Sequence, residues 1–156
     1  MLFHHFSAPV NQNQNNELEK KKGRILIIDQ DDLTCDFLSS VIKLIGFECD
    51  MVKDVEQAIE LLETTVFDLL ITDWHLPKTP EFLRSSLEKN PNLQTILMVN
   101  RRQVFFEAMH LPGATVIQKP FNFDDIIQKI QQAFHHHNQQ QMETQIRRWR
   151  QEIFRI

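Results

Sequence analysis

Glycine is scarce: this chain of 156 residues has three, Gly23, Gly46 and Gly113. They lie too far apart for a glycine-rich phosphate loop, which needs several backbone N–H groups gathered at one helix start. Cysteine is almost as rare. Cys35 and Cys49 stand alone, with no Cys-x-x-Cys pair and no ligand spacing. They read as reduced packing residues rather than a disulfide frame or a zinc site. No apolar run approaches the roughly 18 residues that would span a membrane. Met1 to Val10 carries histidines and a proline where a signal peptide would have a basic start and a long apolar stretch. A cytoplasmic location is the expectation. No Ser-His-Asp or Cys-His arrangement is visible, so an enzyme is not expected.

Positive charge is missing from the middle of the chain. Residues 24–134 hold 10 Lys and Arg against 17 Asp and Glu, a net of −7, whereas residues 1–23 carry +1 and residues 135–156 carry +2. Duplex binding needs a basic face, so the acidic middle argues against nucleic acid there.

Three regions follow from composition. Residues 1–23 are polar and biased, with NQNQNN ahead of ELEKKK. Such a segment cannot bury enough apolar surface to fold alone and is expected to be disordered. Residues 24–134 alternate short apolar runs with helical periods. Arg24 to Ile28 is a continuous β-branched run, as in a strand buried on both faces. A helix is expected from Asp31 to Ile45, stopped by Gly46. Strands follow at Glu48–Val52, Asp68–Thr72, Thr95–Val99 and Ala114–Ile117. Helices are expected at Val55–Thr64, from Phe82 to Leu87, over Gln103–His110, and after the capping residue Asn122. Five strands alternating with five helices predict a parallel sheet covered on both faces. Residues 135–156 begin with His-His-His-Asn-Gln-Gln-Gln, a polar connector or a helical continuation. Met142, Ile146, Trp149, Ile153 and Ile156 then fall on one narrow helical stripe. That stripe suits a homodimer seam or a partner helix. Its arginines, Arg147, Arg148, Arg150 and Arg155, also fit a membrane surface, but packing or dimerisation is the plainer reading. Twenty-two residues are too few for a helix-turn-helix unit with its own core, so no DNA-binding output domain is expected.

In parallel sheets, sites form beyond the carboxyl ends of the strands. After the first strand come Asp29, Gln30, Asp31 and Asp32; after the third, Asp73; after the fourth, Asn100, Arg101 and Arg102; after the fifth, Lys119-Pro120. Any one of these acids alone would be an ordinary turn or cap residue. Together, carboxylates from two strand ends facing a lysine from a third suit a hard cation and an anionic group. A carboxylate placed there can act as nucleophile and form an acyl phosphate.

With these pieces in place, the sequence resembles the response-regulator receiver family of two-component signalling. The matching segments are Ile25-Leu26-Ile27-Ile28-Asp29, then Asp68 through Asp73-Trp74-His75-Leu76-Pro77, and Gly113-Ala114 through Lys119-Pro120-Phe121. The resemblance, over residues 24–134, implies a flavodoxin-like doubly wound sheet of strand order 2-1-3-4-5; the apolar stripe beyond it adds a C-terminal helix. The resemblance also implies that Asp73 accepts the phosphoryl group and that Lys119 pairs with it. Magnesium would be bound by Asp29, Asp73 and the backbone carbonyl of His75, with Gln30 or Asp31 as a further ligand. The Lys119–Pro120 peptide is expected to be cis.

The departures are specific. Gln30 stands where the family has a second acidic residue, which weakens magnesium binding. Val99 aligns with the family's Ser or Thr and Val116 with its switch aromatic. The stretch between the fourth and fifth strands is short, and Lys78-Thr79-Pro80-Glu81 lacks the usual glycine. The expected function is a single-domain response regulator. It would take phosphate from a sensor histidine kinase or phosphotransfer protein and signal to a downstream protein partner. The alternative is a phosphorylation-independent adaptor that only binds partners. Neither nucleic acid nor membrane is expected as a partner. His4-His5 and His135-His136-His137 are adjacent runs, unlike the i, i+4 spacing of helical metal ligands, and read as solvated polar segments.

Overall fold

The computed structural model describes residues 23–100 and 110–153. Five strands form one parallel sheet in the order β2-β1-β3-β4-β5. They are β1 Arg24–Ile28, β2 Glu48–Val52, β3 Leu69–Asp73, β4 Gln94–Val99 and β5 Ala114–Gln118. Among the described residues four helices alternate with them: α1 Asp32–Leu44, α2 Val55–Thr64, α3 Thr79–Lys89 and α4 Phe123–Ile153. The expected order and the alternation of parallel strands with helices are what is found. The helix expected over Gln103–His110 lies almost wholly outside the described residues, as does the N-terminal extension.

The sheet has two apolar faces because its central strands are covered on both sides. Ile25 and Ile27 pack with Leu38, Val41 and Ile42 of α1 and with Ile126, Ile130 and Ala133 of α4. Leu26 and Ile28 pack on the other face with Val55 and Ala58 of α2 and with Phe82 and Leu83 of α3. Unbroken apolar runs are therefore required in β1, β3 and β4, whereas the edge strands leave residues exposed, Glu48 and Met51 in β2 and Gln118 in β5. No helix among the described residues is long and apolar enough to cross a membrane.

The helix ends obey local chemistry. Asn122 and Asp125 exchange bonds at the start of α4: Asp125 N donates to Asn122 Oδ1 at 2.9 Å and Asn122 N donates to Asp125 Oδ2 at 3.2 Å. Gly46, at φ 91°, ends α1 while Phe47 N reaches back to Ile42 O at 3.1 Å. The expected helical residues Phe82–Leu87 lie within α3, which starts at Thr79 because Pro80 sits in the first turn, where its missing N–H costs nothing. One boundary differs from expectation. Strand β3 runs to Asp73, while Asp68 instead accepts a bond from Arg24 N at 2.8 Å. Helix α4 continues through the polar segment from His135 as a single element of 31 residues. The backbone of Ile146, Trp149 and Ile153 lies on it; their side chains are outside the described residues.

Candidate functional site

Strand register puts the two key carboxylates side by side. Ile28 pairs with Thr72, so the next residues, Asp29 and Asp73, emerge at the same sheet edge. Val99 pairs with Gln118, which brings Lys119 level with the end of β4. Lys119 Nζ lies 2.7 Å from Asp29 Oδ2 and 3.6 Å from Asp73 Oδ2. The structure thus brings together Asp29, Asp73 and Lys119, and the lysine sits nearer to Asp29. The Lys119–Pro120 peptide is cis.

Each carboxylate is also oriented by backbone. Asp29 is 1% exposed, and its Oδ1 accepts from Asp31 N at 2.9 Å. Asp73 Oδ1 accepts from His75 N at 2.9 Å. Thr79, fully buried, donates from Oγ1 to Leu76 O at 2.8 Å and to Asp73 O at 3.5 Å, which fixes the turn after the strand. Two ionised carboxylates against one ammonium leave a single net negative charge. A hard divalent cation suits that balance and these oxygen donors.

The two further candidates after β1 differ in their surroundings. Asp31 caps α1, with Oδ1 accepting from Leu33 N at 3.3 Å and Oδ2 from Thr34 Oγ1 at 2.6 Å. The Thr34 hydroxyl bond, with the backbone N–H groups of Leu33 and Thr34 adding and desolvation opposing, holds the Asp31 carboxyl below its ordinary range. Gln30 is exposed beside Asp29. Among the described residues no group of three or more His, Cys, Asp or Glu side chains is arranged to hold a metal. What is present therefore fits magnesium held by one or two carboxylates, with water completing the shell. Cys35 lies close, donating from Sγ to Asp29 O at 3.4 Å. Burial, with Asp29 adding, pushes its thiol up to about 11, so it is neither nucleophile nor ligand near neutral pH.

Val99, aligned with the family's Ser or Thr, and Val116, aligned with its switch aromatic, are both buried in the core layer under α2 and α3, with Leu76, Leu97 and Phe82. Met98, the register partner of Asp73, belongs to the opposite layer. Because side chains alternate, the next position on the side of Met98 is Asn100, not Val99. Asn100 N donates to His75 Nε2 at 3.0 Å. The His75 side chain is thus engaged across the site, a role that its place in the sequence does not reveal. Of the expected strand-end residues, Arg101 and Arg102 lie outside the described residues.

Comparison with known proteins agrees with this geometry. The family model for the response regulator receiver domain matches residues 25–131. The chain is 27% identical over 130 residues to the sensory transduction protein BceR of Halalkalibacterium halodurans, covering 81% of this chain and 56% of that protein. It is 24% identical over 124 residues to the transcriptional regulatory protein ZraR of Escherichia coli, covering 77% of this chain and 28% of that protein. The chain therefore spans about half of one of these relatives and about a quarter of the other. The crystal structure of a CheY-like response regulator receiver protein from Methanospirillum hungatei superposes with a TM-score of 0.68 at 22% identity, over 76% of this chain and 98% of that one.

Proposed function

Because the chain belongs to the response regulator receiver family, we propose that Asp73 accepts a phosphoryl group from the phosphohistidine of a sensor kinase or phosphotransfer protein. The observation that carries this reading is Lys119 Nζ, 2.7 Å from Asp29 and 3.6 Å from Asp73, at the carboxyl edge of the sheet. A carboxylate oxygen of Asp73 attacks phosphorus while the P–N bond of the donor breaks. The bonding pair returns to the imidazole nitrogen, which takes up a proton, and Asp73 becomes an acyl phosphate. Lys119 offsets the charge on the phosphoryl oxygens. Magnesium, when bound, would neutralise further charge there, held by Asp29, Asp73, the His75 carbonyl and the amide oxygen of Gln30.

A donor protein has a surface to press on. Leu33, Phe37 and Phe123 are exposed on the first turns of α1 and α4, and the Phe37 ring lies 6.1 Å from that of Phe121. These apolar side chains follow Asp29 and Lys119 closely in sequence. By this reading residues 24–134 form the receiver of a cytoplasmic regulator, and the stripe of Ile146, Trp149 and Ile153 binds a second copy or a downstream protein.

Acetyl phosphate with magnesium tests the proposal. The intact chain gains the mass of one phosphoryl group, and Asp73→Asn gains none. Absence of gain in the unmodified chain leaves the adaptor reading, which Gln30 already favours by removing one charged ligand.

A further inference from the structure

His75 touches the acceptor and the end of β4 at once. Its backbone N–H is held by Asp73 Oδ1 at 2.9 Å, while its ring nitrogen Nε2 accepts from Asn100 N at 3.0 Å, across 25 positions of sequence. The neighbouring backbone bonds across this edge belong to the strand ladder: Trp74 N donates to Met98 O at 2.9 Å and Lys119 N to Val99 O at 2.8 Å. Asn100 is the next residue of that edge, and its N–H goes to a side chain instead of a strand. We propose that the His75 side chain is a positioning residue that carries the state of Asp73 to the segment following β4.

The need for such a link follows from the core. Val99 and Val116 are packed beneath the sheet edge, so neither offers a hydroxyl or an aromatic ring to the acceptor. Among the described residues, Thr79 and Thr72 bond only locally around the acceptor turn, and Lys119 joins Asp73 to the end of β5. His75 is then the described side chain that joins the turn after β3 to the end of β4. The physical lever is charge. An ionised carboxylate oxygen is a strong acceptor for the His75 N–H, whereas in the acyl phosphate that oxygen is an uncharged carbonyl and the negative charge sits on the phosphoryl oxygens. The backbone at His75 relaxes, and the ring shifts relative to Asn100. Both His75 and Asn100 are exposed, so the ring-to-amide bond is weak enough to exchange.

The inference rests on Asp73 being the acceptor, but the coupling can be read without phosphate. Asp73→Asn removes the charge, and the Asn100 amide is followed by NMR in the full chain. Its resonance should move in the otherwise unmodified protein. The movement should vanish when the same change is made in His75→Ala or His75→Phe, and return in His75→Gln, whose amide oxygen can accept the bond. The exposed position of His75 keeps these variants folded, and the dispersion of the remaining amides verifies it. A movement of equal size in His75→Ala and His75→Phe overturns the proposal, as does no movement in the unmodified background. Either result is independent of whether acetyl phosphate labels Asp73, so failure of the coupling and failure of the acceptor reading are told apart.

Discussion

The ammonium of Lys119 lies 2.7 Å from Asp29, a carboxylate that is almost fully buried. Among the described residues, removing the lysine leaves that charge with the Asp31 N–H at 2.9 Å to hold it. An uncompensated buried charge is costly, so Lys119→Met should destabilise the fold by about 3 kcal/mol. Asp29→Asn combined with Lys119→Met should recover a good part of that loss, because the two changes share one interaction. Urea denaturation of the two single variants and the double variant measures both. Additive losses would show that the pair is not coupled.

The two valines make a contrasting case. Val99 is fully buried among apolar side chains, so Val99→Thr puts a hydroxyl into the core with no partner. A cost of about 1–2 kcal/mol is expected. No gain in phosphorylation should accompany it, because the new hydroxyl faces away from Asp73. Asn100→Thr should instead leave stability within about 0.5 kcal/mol, since it changes an exposed residue. Labelling of both variants with acetyl phosphate, beside their unfolding midpoints, checks the assignment. Faster labelling of Val99→Thr would place that side chain at the site after all.

That contrast shows what the sequence could and could not disclose. The strands were legible because Ile25–Ile28 and Leu69–Ile71 must be apolar on both faces. Asn122 with Asp125, and Gly46, announce helix ends through chemistry confined to a few neighbours. Asp29, Asp73 and Lys119 were found because strand ends in a parallel sheet converge. The face of Val99 was not legible, because one residue of offset at a strand end turns every side chain over. Asp31 was ambiguous because a cap and a cation both want a carboxylate. The reach of His75 to Asn100 leaves no local pattern at all, since it joins segments 25 residues apart.

Acid and alkali should act through two exposed elements. The Lys78 ammonium, 3.0 Å away, holds the Glu56 carboxyl below its ordinary value, and Glu56 in turn raises Lys78 above its own. A lowered carboxyl stabilises the fold above its unfolded value near 4.5, and that contribution is lost as pH falls below it. A raised ammonium stabilises below its unfolded value near 10.5, and that contribution is lost as pH rises beyond it. Glu56→Gln should therefore flatten both limbs of the stability profile slightly, the effect being small because water screens the pair. Asp31→Asn should flatten only the acid limb, below its ordinary value of 3.8, while keeping the cap on α1. Midpoints of thermal unfolding from pH 3 to 11 test this; an alkaline change in Asp31→Asn would contradict it.

Gln30 sets the strength of any magnesium site. As it stands, Asp29 and Asp73 give two charges, Lys119 offsets one, and Asp31 also caps the helix. Gln30→Asp raises the net negative charge at the sheet edge from one to two. The Coulomb gain for a divalent cation is several kcal/mol before desolvation, and repulsion from Asp29 offsets much of it, so tightening on the order of tenfold is expected. Trp74 supplies the readout. It follows Asp73 directly, its N–H is fixed to Met98 O at 2.9 Å, and it is half-buried, so its emission responds to charge placed beside the acceptor. Titration with magnesium should give a lower midpoint in Gln30→Asp than in the unmodified chain, and no response in Asp29→Asn with Asp73→Asn. Equal midpoints for Gln30→Asp and the unmodified chain would mean that position 30 does not face the cation.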